Sequence, residues 1–396
     1  MRVPDGWEVK YLSELANRIS DGIHTTPVYV NDSDVYFING NNLKNGSIVI
    51  QDSTRCVDKA DAVNHRKDLG GRTLLMSING TIGNLAYYRG ENVVLGKSAS
   101  YINIKDNVDL DFIYNVLSSS ITQRFYESEL TGTTIRNLSI KSIKNTRVAT
   151  PPIPEQQKIA QILSTWDKAI ATCEQLLFNS QQQKKALMQQ LLTGKKRLLD
   201  EDGVRFCGEC PEYLLEKIEK LGWAELGRGN VISKKDMEDI PGEYPIYSSS
   251  VKNNGLMGAY GDFMFEEELI SWSVDGGGNF FYRPKHKFSI TNVSGYMRLD
   301  TNKLDYQFIA AQLEFLHSKL KFDYQTKAHP SVIRKMYILA IPTLEEQKKI
   351  STVLSTADRE IELIQTQLES LKQEKKALMQ QLLTGKRRVK LENCYA

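Results

Sequence analysis

Three short stretches carry residue types that do chemistry in other proteins, and their spacing argues against each. Cys207-Gly208-Glu209-Cys210 has two thiols at zinc-ligand spacing. No second Cys or His pair lies nearby, and a closed zinc site needs a full tetrahedral ligand set. A plain loop is expected there. The run GENVVLGKS (90–98) resembles a phosphate-binding loop, but Gly90 and Gly96 are one residue too far apart and Glu91 would repel phosphate. PDGWEVK (4–10) resembles the Asp and Glu-x-Lys of metal-dependent nucleases, but Asp5 and Glu8 are too close to sit on separate strands around one metal ion. The five histidines show no ligand spacing, and no Asn is followed by Pro, so the Asn/Asp-Pro-Pro-aromatic motif of amino-methyltransferases is absent. No residue reads as catalytic, cofactor-binding or metal-binding.

The elements that organise the chain are more informative. The segment KKALMQQLLTGK occurs at 184–195 and again, letter for letter, at 375–386. Upstream, 151–195 lies over 342–386 without a gap, with 24 identities in 45 positions. A gapless internal repeat is one structural unit used twice. Each copy reads as a long helix. Prolines at 151–154 mark its start, Glu155 and Glu346 suit a helix N-terminus, and Gly194 and Gly385 mark its stop. Between them, apolar residues recur at alternating spacings of four and three. The first stripe is Ile159, Leu163, Trp166, Ile170, Cys173, Leu177, Ser180, Lys184, Leu187 and Leu191. The second is Ile350, Leu354, Ala357, Ile361, Ile364, Leu368, Leu371, Lys375, Leu378 and Leu382. Such a two-in-seven stripe is a coiled-coil seam, and the simplest arrangement pairs the helices with each other as an antiparallel coiled coil. Roughly 38 helical residues at ~1.5 Å each span ~57 Å. Lys184 and Lys375 break both seams at the same place, which either fixes register or lets the lysine stem snorkel.

Two blocks remain, about 1–150 and 200–341. Both alternate short β-rich runs with turn residues: VYFING, GSIVI, RTLLMSING and LAYYRG in the first, and YPIYSSS, ELISWSV, NFFYRP and FSITNVSGYMRL in the second. Each closes with a short helix, LDFIYNVLSSSITQRFY or LDYQFIAAQLEFLHSKL, and returns to a proline. Gly80-Thr81-Ile82-Gly83 and Asp275-Gly276-Gly277-Gly278 occupy matching places. The expected fold is α+β: two globular domains of mixed α/β with β-rich cores, separated by two long helices, with a pseudo-twofold internal repeat. Charge is nearly balanced: 17 basic and 16 acidic residues in 1–150, 7 and 4 in 151–200, 17 and 20 in 201–341, and 10 and 8 in 342–396. Bulk charge therefore announces no nucleic-acid binder. No apolar run is long enough to span a membrane, the opening MRVPDGWEVKYLSEL lacks the apolar core of a signal peptide, and five scattered cysteines suit a reducing compartment, so a cytoplasmic protein is expected.

The layout resembles the DNA-specificity subunit of type I restriction-modification enzymes. The resemblance rests on PPIPEQQKIAQIL and IPTLEEQKKISTVL after each block, the LLTGK helix ends, DGWEVKYLSEL opening the first block, and GEYPIYSSS and FSITNVSGYMRL in the second. It covers the whole chain. It implies a first target-recognition domain at 1–150, a spacer helix at 151–197, a second recognition domain at 198–341 and a second helix at 342–390. It also implies a non-catalytic subunit in which each domain reads half of a split, asymmetric sequence in double-stranded DNA. Two methyltransferase subunits and ATP-dependent restriction subunits would be recruited. S-adenosylmethionine, ATP and Mg would belong to those partners, with no cofactor in this chain and no membrane partner. A competing expectation is a structural coiled-coil scaffold joining two protein-binding domains, which would show no sequence-dependent DNA affinity.

Base reading needs polar groups at the major-groove edge, and two readers on one DNA face lie about one helical turn, ~34 Å, apart. A rigid rod can set such a separation. Candidate readers are polar and basic residues in turn-rich stretches: Asn42, Lys44, Arg66, Lys67, Arg72, Asn79, Lys97, Thr133 and Arg136, then Lys234, Lys235, Ser249, Lys252, Asn253, Asn279, Arg283, Lys285, Gln325 and Lys327. The Gln-rich outer helix faces are the candidate methyltransferase surface: Gln156, Gln181, Gln182, Lys185, Gln189 and Gln190, with Gln347, Gln373, Lys376, Gln380 and Gln381.

Overall fold

The computed structural model describes residues 3–132, 136–250, 252–275, 277–320 and 327–391. The chain forms two compact units, Met1–Glu174 with Thr366–Ala396, and Gln175–Gln365. Each unit thus owns one β-rich block, the first half of the helix that follows it and the second half of the other long helix.

The first unit is built on a four-stranded antiparallel sheet in the spatial order Ala16–Asp21, Ala99–Ile104, Thr73–Ser77, Leu85–Tyr87. Its central strand Thr73–Ser77 is buried at every position, which suits its unbroken TLLMS run. A smaller sheet holds Tyr36–Ile38 parallel to Val93–Leu95. Glu8–Tyr11 pairs antiparallel with Arg147–Thr150, so the block's two ends meet just before the long helix Ile153–Leu191. The sequence led us to expect one helix across 110–126; two form, Leu110–Ser118 and Ser120–Ser128. Ser119 breaks them with an extended backbone, and its hydroxyl caps the second by accepting from Thr122 N.

The second unit repeats this topology with different residues. Its sheet runs Ala224–Arg228, Ser294–Leu299, Leu269–Ser273, Phe280–Arg283, again all antiparallel. Tyr244–Tyr247 lies parallel to Ser289–Ile290, and Glu212–Leu214 pairs with Ile338–Ala340 ahead of the long helix Leu344–Leu382. Asp109 and Asp305 cap the matching helices Leu110–Ser118 and Tyr306–His317 by accepting from Phe112 N (2.7 Å) and Phe308 N (2.9 Å).

Each long helix runs 39 residues. The stripe positions are buried or half-buried throughout, and the positions between them are exposed across 165–186 and 356–377. The outer ends of the stripes enter the block cores. Ile159, Leu163 and Leu382 join the core of the first unit, and Leu191, Ile350 and Leu354 that of the second. The strands of helix run in opposite directions within each unit. In the first, Lys375 pairs with Asp167 at 2.5 Å and Lys372 with Glu174 at 2.7 Å. In the second, Lys184 pairs with Asp358 at 2.5 Å. The two seam lysines therefore form the same reciprocal bond, each with the aspartate of the other copy. Both helices end at a left-handed glycine, Gly194 (φ 67°) and Gly385 (φ 72°), as the LTGK ending leads one to expect.

Candidate nucleic-acid interface

The framework of the site begins at the Glu-Gln pair opening each long helix. Glu155 is buried and accepts from both Arg388 Nε (2.6 Å) and Nη2 (2.8 Å), and from Trp7 Nε1 at 3.0 Å. Glu346 is buried and accepts from Arg197 Nε at 2.6 Å and Nη2 at 2.5 Å. Each forked contact joins the start of one repeat copy to the tail of the other. Such planar two-bond pairs are strong and directional. The neighbouring glutamines are also buried. Gln156 accepts from Asp109 N (2.9 Å) and donates to the Pro151 carbonyl (2.8 Å). Gln347 accepts from Asp305 N (2.9 Å) and donates to the Pro342 carbonyl (2.9 Å). Gln156 and Gln347 are thus corrected from partner-facing residues to internal ones, which tie the block's capped helix to the long helix. A buried amide needs those partners, and a heptad count does not show them. The remaining outer-face residues, Gln181, Gln182, Lys185, Gln189, Gln190, Gln373, Lys376, Gln380 and Gln381, are exposed.

In the first unit the sheets place polar turns side by side. Asn79 and Lys97 line one shallow cleft with Asp21, His24 and Asn137. Asn79 bridges to Asn137 through the backbone, and its side-chain oxygen is buried with no hydrogen-bond partner among the described residues. A second recess is lined by Tyr29, Phe37, Asn39, Asn41, Gln51 and Arg55, among others, with Arg55 stacked 4.9 Å over Tyr29. Lys44, Arg66 and Arg136 are exposed and Lys67 half-buried, away from either lining. Asn42 is corrected from a reader. It is buried, its oxygen accepts from Asn39 N and its amide donates to the Val49 carbonyl. Arg72 is likewise committed inward, donating to the carbonyls of Ile104, Lys105 and Val108. Thr133 lies outside the described residues.

In the second unit Asn279 and Arg283 share a cleft with Asn254, Phe281 and His317. Arg283 is corrected from a base reader: it is 4% exposed and spends its donors on Ser271 Oγ (2.9 Å) and the Asn254 carbonyl (2.6 Å). Burial pulls its pKa down to about 10. Lys234, Lys235, Lys252, Asn253 and Lys285 are exposed. Ser249 is half-buried, its carbonyl accepting from Ser273 Oγ, and Lys327 pairs with Asp275 at 3.2 Å. Gln325 lies outside the described residues. Sequence reasoning passed over Asn41, Gln51, Arg55 and Asn254. The signal for two of them was the doubled asparagine, NN at 41–42 and 253–254, after the matching strand of each small sheet.

Two copies of one fold thus carry polar side chains on equivalent turns, with different surroundings in each unit. The model of the type I restriction modification DNA specificity domain matches residues 4–177 and 222–373. The chain belongs to this family of DNA-sequence-recognising subunits of type I restriction-modification systems. It is 24% identical over 433 aligned positions to the type I restriction enzyme MjaVIII specificity subunit of Methanocaldococcus jannaschii, covering 98% of this chain and 95% of that one. It is 28% identical over 215 residues to the putative type I specificity subunit S.MpnORF201P of Mycoplasma pneumoniae, covering 53% and 82%. Its fold matches the crystal structure of the S subunit of a type I restriction-modification system from M. genitalium, with TM-score 0.61, 17% identity and 97% and 98% coverage. No helix among the described residues is long and apolar enough to cross a membrane, and no group of His, Cys, Asp and Glu there is arranged to hold a metal ion.

Proposed function

We propose that this chain reads a bipartite, asymmetric target in double-stranded DNA, one half per unit. We further propose that it does so as a non-catalytic adaptor in the cytoplasm. One observation carries the reading: the two units share a topology and differ in the polar side chains at its equivalent turns. Like frames present the two readers alike, and unlike side chains read unlike bases. The exposed Gln- and Lys-rich helix faces, repeated in both copies, serve two methyltransferase subunits, with ATP-dependent restriction subunits joining that assembly. S-adenosylmethionine, ATP and Mg act in those partners. The nearly balanced charge fits a subunit that supplies discrimination while its partners supply much of the phosphate grip.

The test is a block exchange. Residues 1–150 are replaced by the first block of another family member, and methylated adenines are mapped in a genome carrying the hybrid with its methyltransferase. One half of the recognised sequence should change and the other stay. A change in both halves would show a single composite reading surface.

A further inference from the structure

We infer that the Lys252–Gly255 turn reads adenine in the half-target met by the second unit, through the amides of Asn253 and Asn254, with Arg283 as its positioning residue. This rests on the DNA-reading function proposed above and names the side chains that carry it in this unit.

The backbone is the first observation. Asn253 (φ 51°, ψ 39°) and Asn254 (φ 51°, ψ 32°) are both left-handed, and Gly255 follows at φ 82°. Successive left-handed residues are costly and persist only where the surroundings over-determine them. Here they do. Ser248 N donates to the Gly255 carbonyl at 2.8 Å, Ser273 Oγ donates to the Ser249 carbonyl at 2.8 Å, and Arg283 Nη2 donates to the Asn254 carbonyl at 2.6 Å. The turn is thereby tied to the central strand Leu269–Ser273 and to its neighbour. Yet both asparagine side chains are exposed, and so is Lys252.

The second observation is the guanidinium beneath. Arg283 lies 3.7 Å over the Tyr247 ring and 4.9 Å over Phe281, and no carboxylate pairs with it among the described residues. A buried cation without a counter-ion is expensive. An acidic partner there would compete for the donors that hold the Asn254 carbonyl and would repel an approaching polyanion. A lone guanidinium keeps its donors for the turn; the carboxylates of the same cleft, Glu314 and Asp358, lie beside Lys184, which pairs with Asp358.

Chemistry then names the ligand. A primary amide offers an acceptor and a donor side by side, matching the N6 donor and N7 acceptor of adenine in the major groove. A rigid, exposed turn suits base reading, and Lys252 beside it suits a phosphate. At the equivalent turn of the first unit, Gly40–Asn42, Arg55 lies in the same recess but no arginine among the described residues donates to a turn carbonyl: Ser98 Oγ accepts from Gly40 N at 3.0 Å, and Asn42 is turned inward. The two units therefore differ where they should if each reads its own bases.

Glycine suits the left-handed backbone and lacks the amide, so Asn253→Gly and Asn254→Gly remove the reading group and leave the turn intact. The full chain is assembled with its methyltransferase subunits. Methylated sites are mapped, and binding is measured by competition between the target duplex and each single-base variant. At least one glycine variant should lose roughly 5- to 150-fold of discrimination at one adenine of one half-target, the fold equivalent of one bidentate contact. Arg283→Met should relax that same base pair, and Arg283→Lys, which keeps a donor for the Asn254 carbonyl, should relax it less. Unchanged discrimination in the double glycine variant overturns the inference. So does an equal loss of affinity for every duplex, which marks a phosphate or structural role. A wild-type complex that shows no sequence preference at all would instead overturn the proposed function.

Discussion

Replacing Glu346 by Gln keeps the side chain's shape and removes its charge. The Glu346 side chain is 1% exposed and that of Arg197 18%, and the two meet through bonds of 2.6 and 2.5 Å. Taking one partner from a buried pair costs ~3–5 kcal/mol, because the other charge is left stranded. Arg197 keeps some contact with water, which discounts the cost to ~2–3 kcal/mol. In a unit of this size each kcal/mol moves the melting temperature by about 2–4 °C, so a fall of ~5–10 °C is expected by calorimetry. The matching change, Glu155→Gln, supplies the sharper comparison. Its arginine, Arg388, is 46% exposed along the side chain, and the amide oxygen left behind can still accept from Trp7. Glu155→Gln should therefore cost less than Glu346→Gln. A cycle with Arg197→Met should return most of the Glu346→Gln loss as coupling. If Glu155→Gln proved the more damaging, or Glu346→Gln left the melting curve in place, the argument from burial would be wrong.

The two helix-ending glycines separate backbone strain from crowding. Gly194→Ala meets nothing within 4 Å and should cost only the left-handed penalty, ~1–2 kcal/mol. Gly385→Ala places a methyl 2.6 Å from Pro4 Cγ and should lower the melting temperature further; equal losses would refute this. The reciprocal lysine pairs predict a small effect, since Asp358 and Asp167 are half exposed and such pairs contribute ~0–1 kcal/mol. Lys184→Met with Lys375→Met should leave the melting temperature level or raise it, and a large fall would make the pairs essential. Duplicating LFNS (177–180) inside the helix Ile153–Leu191 adds about one helical turn, ~6 Å, and mapped methylation should show the same half-targets with one or two more unread base pairs between them. An unchanged spacer in an active complex would dissociate helix length from target spacing.

The long helices were legible because a two-in-seven stripe repeated over many turns has few other solutions. Ile159, Leu163, Ile350 and Leu354 sit on that stripe and are buried. The stripe could not show that its outer ends leave the helix seam for the block cores, since a leucine reads alike in either setting. Ser119 illustrates the same limit. Its cap, which splits an expected helix in two, depends on a backbone angle that apolar periodicity does not encode. At the candidate interface, types were legible and orientations were not. Asn41 and Asn42 are adjacent and alike, yet one faces water while the other feeds the Val49 carbonyl. Arg283 looked like any other loop-flanking arginine, and only the fold reveals Tyr247, Phe281 and Ser271 around it. Polar residues in turns are ambiguous from sequence because the same amide serves a backbone or a base.

The reciprocal bonds explain why the repeat extends through the helix tails. Glu155 is answered by Arg388, and Glu346 by Arg197. Asp167 is answered by Lys375, and Asp358 by Lys184. In each pair the acid lies early in one copy and the base late in the other. A copy that drifted at either position would strand its partner's charge in the other copy, and where the stranded partner is Glu155 or Glu346 that charge would be buried. The constraint therefore couples both copies along their length while leaving the turns of each block outside it. Asn253 and Asn254 can then differ from Asn41 and Asn42 in what they present without disturbing the frame that presents them. On the proposed reading of one half-target per unit, the labour divides: charge pairs fix the shared frame, and exposed amides on rigid turns would carry the difference.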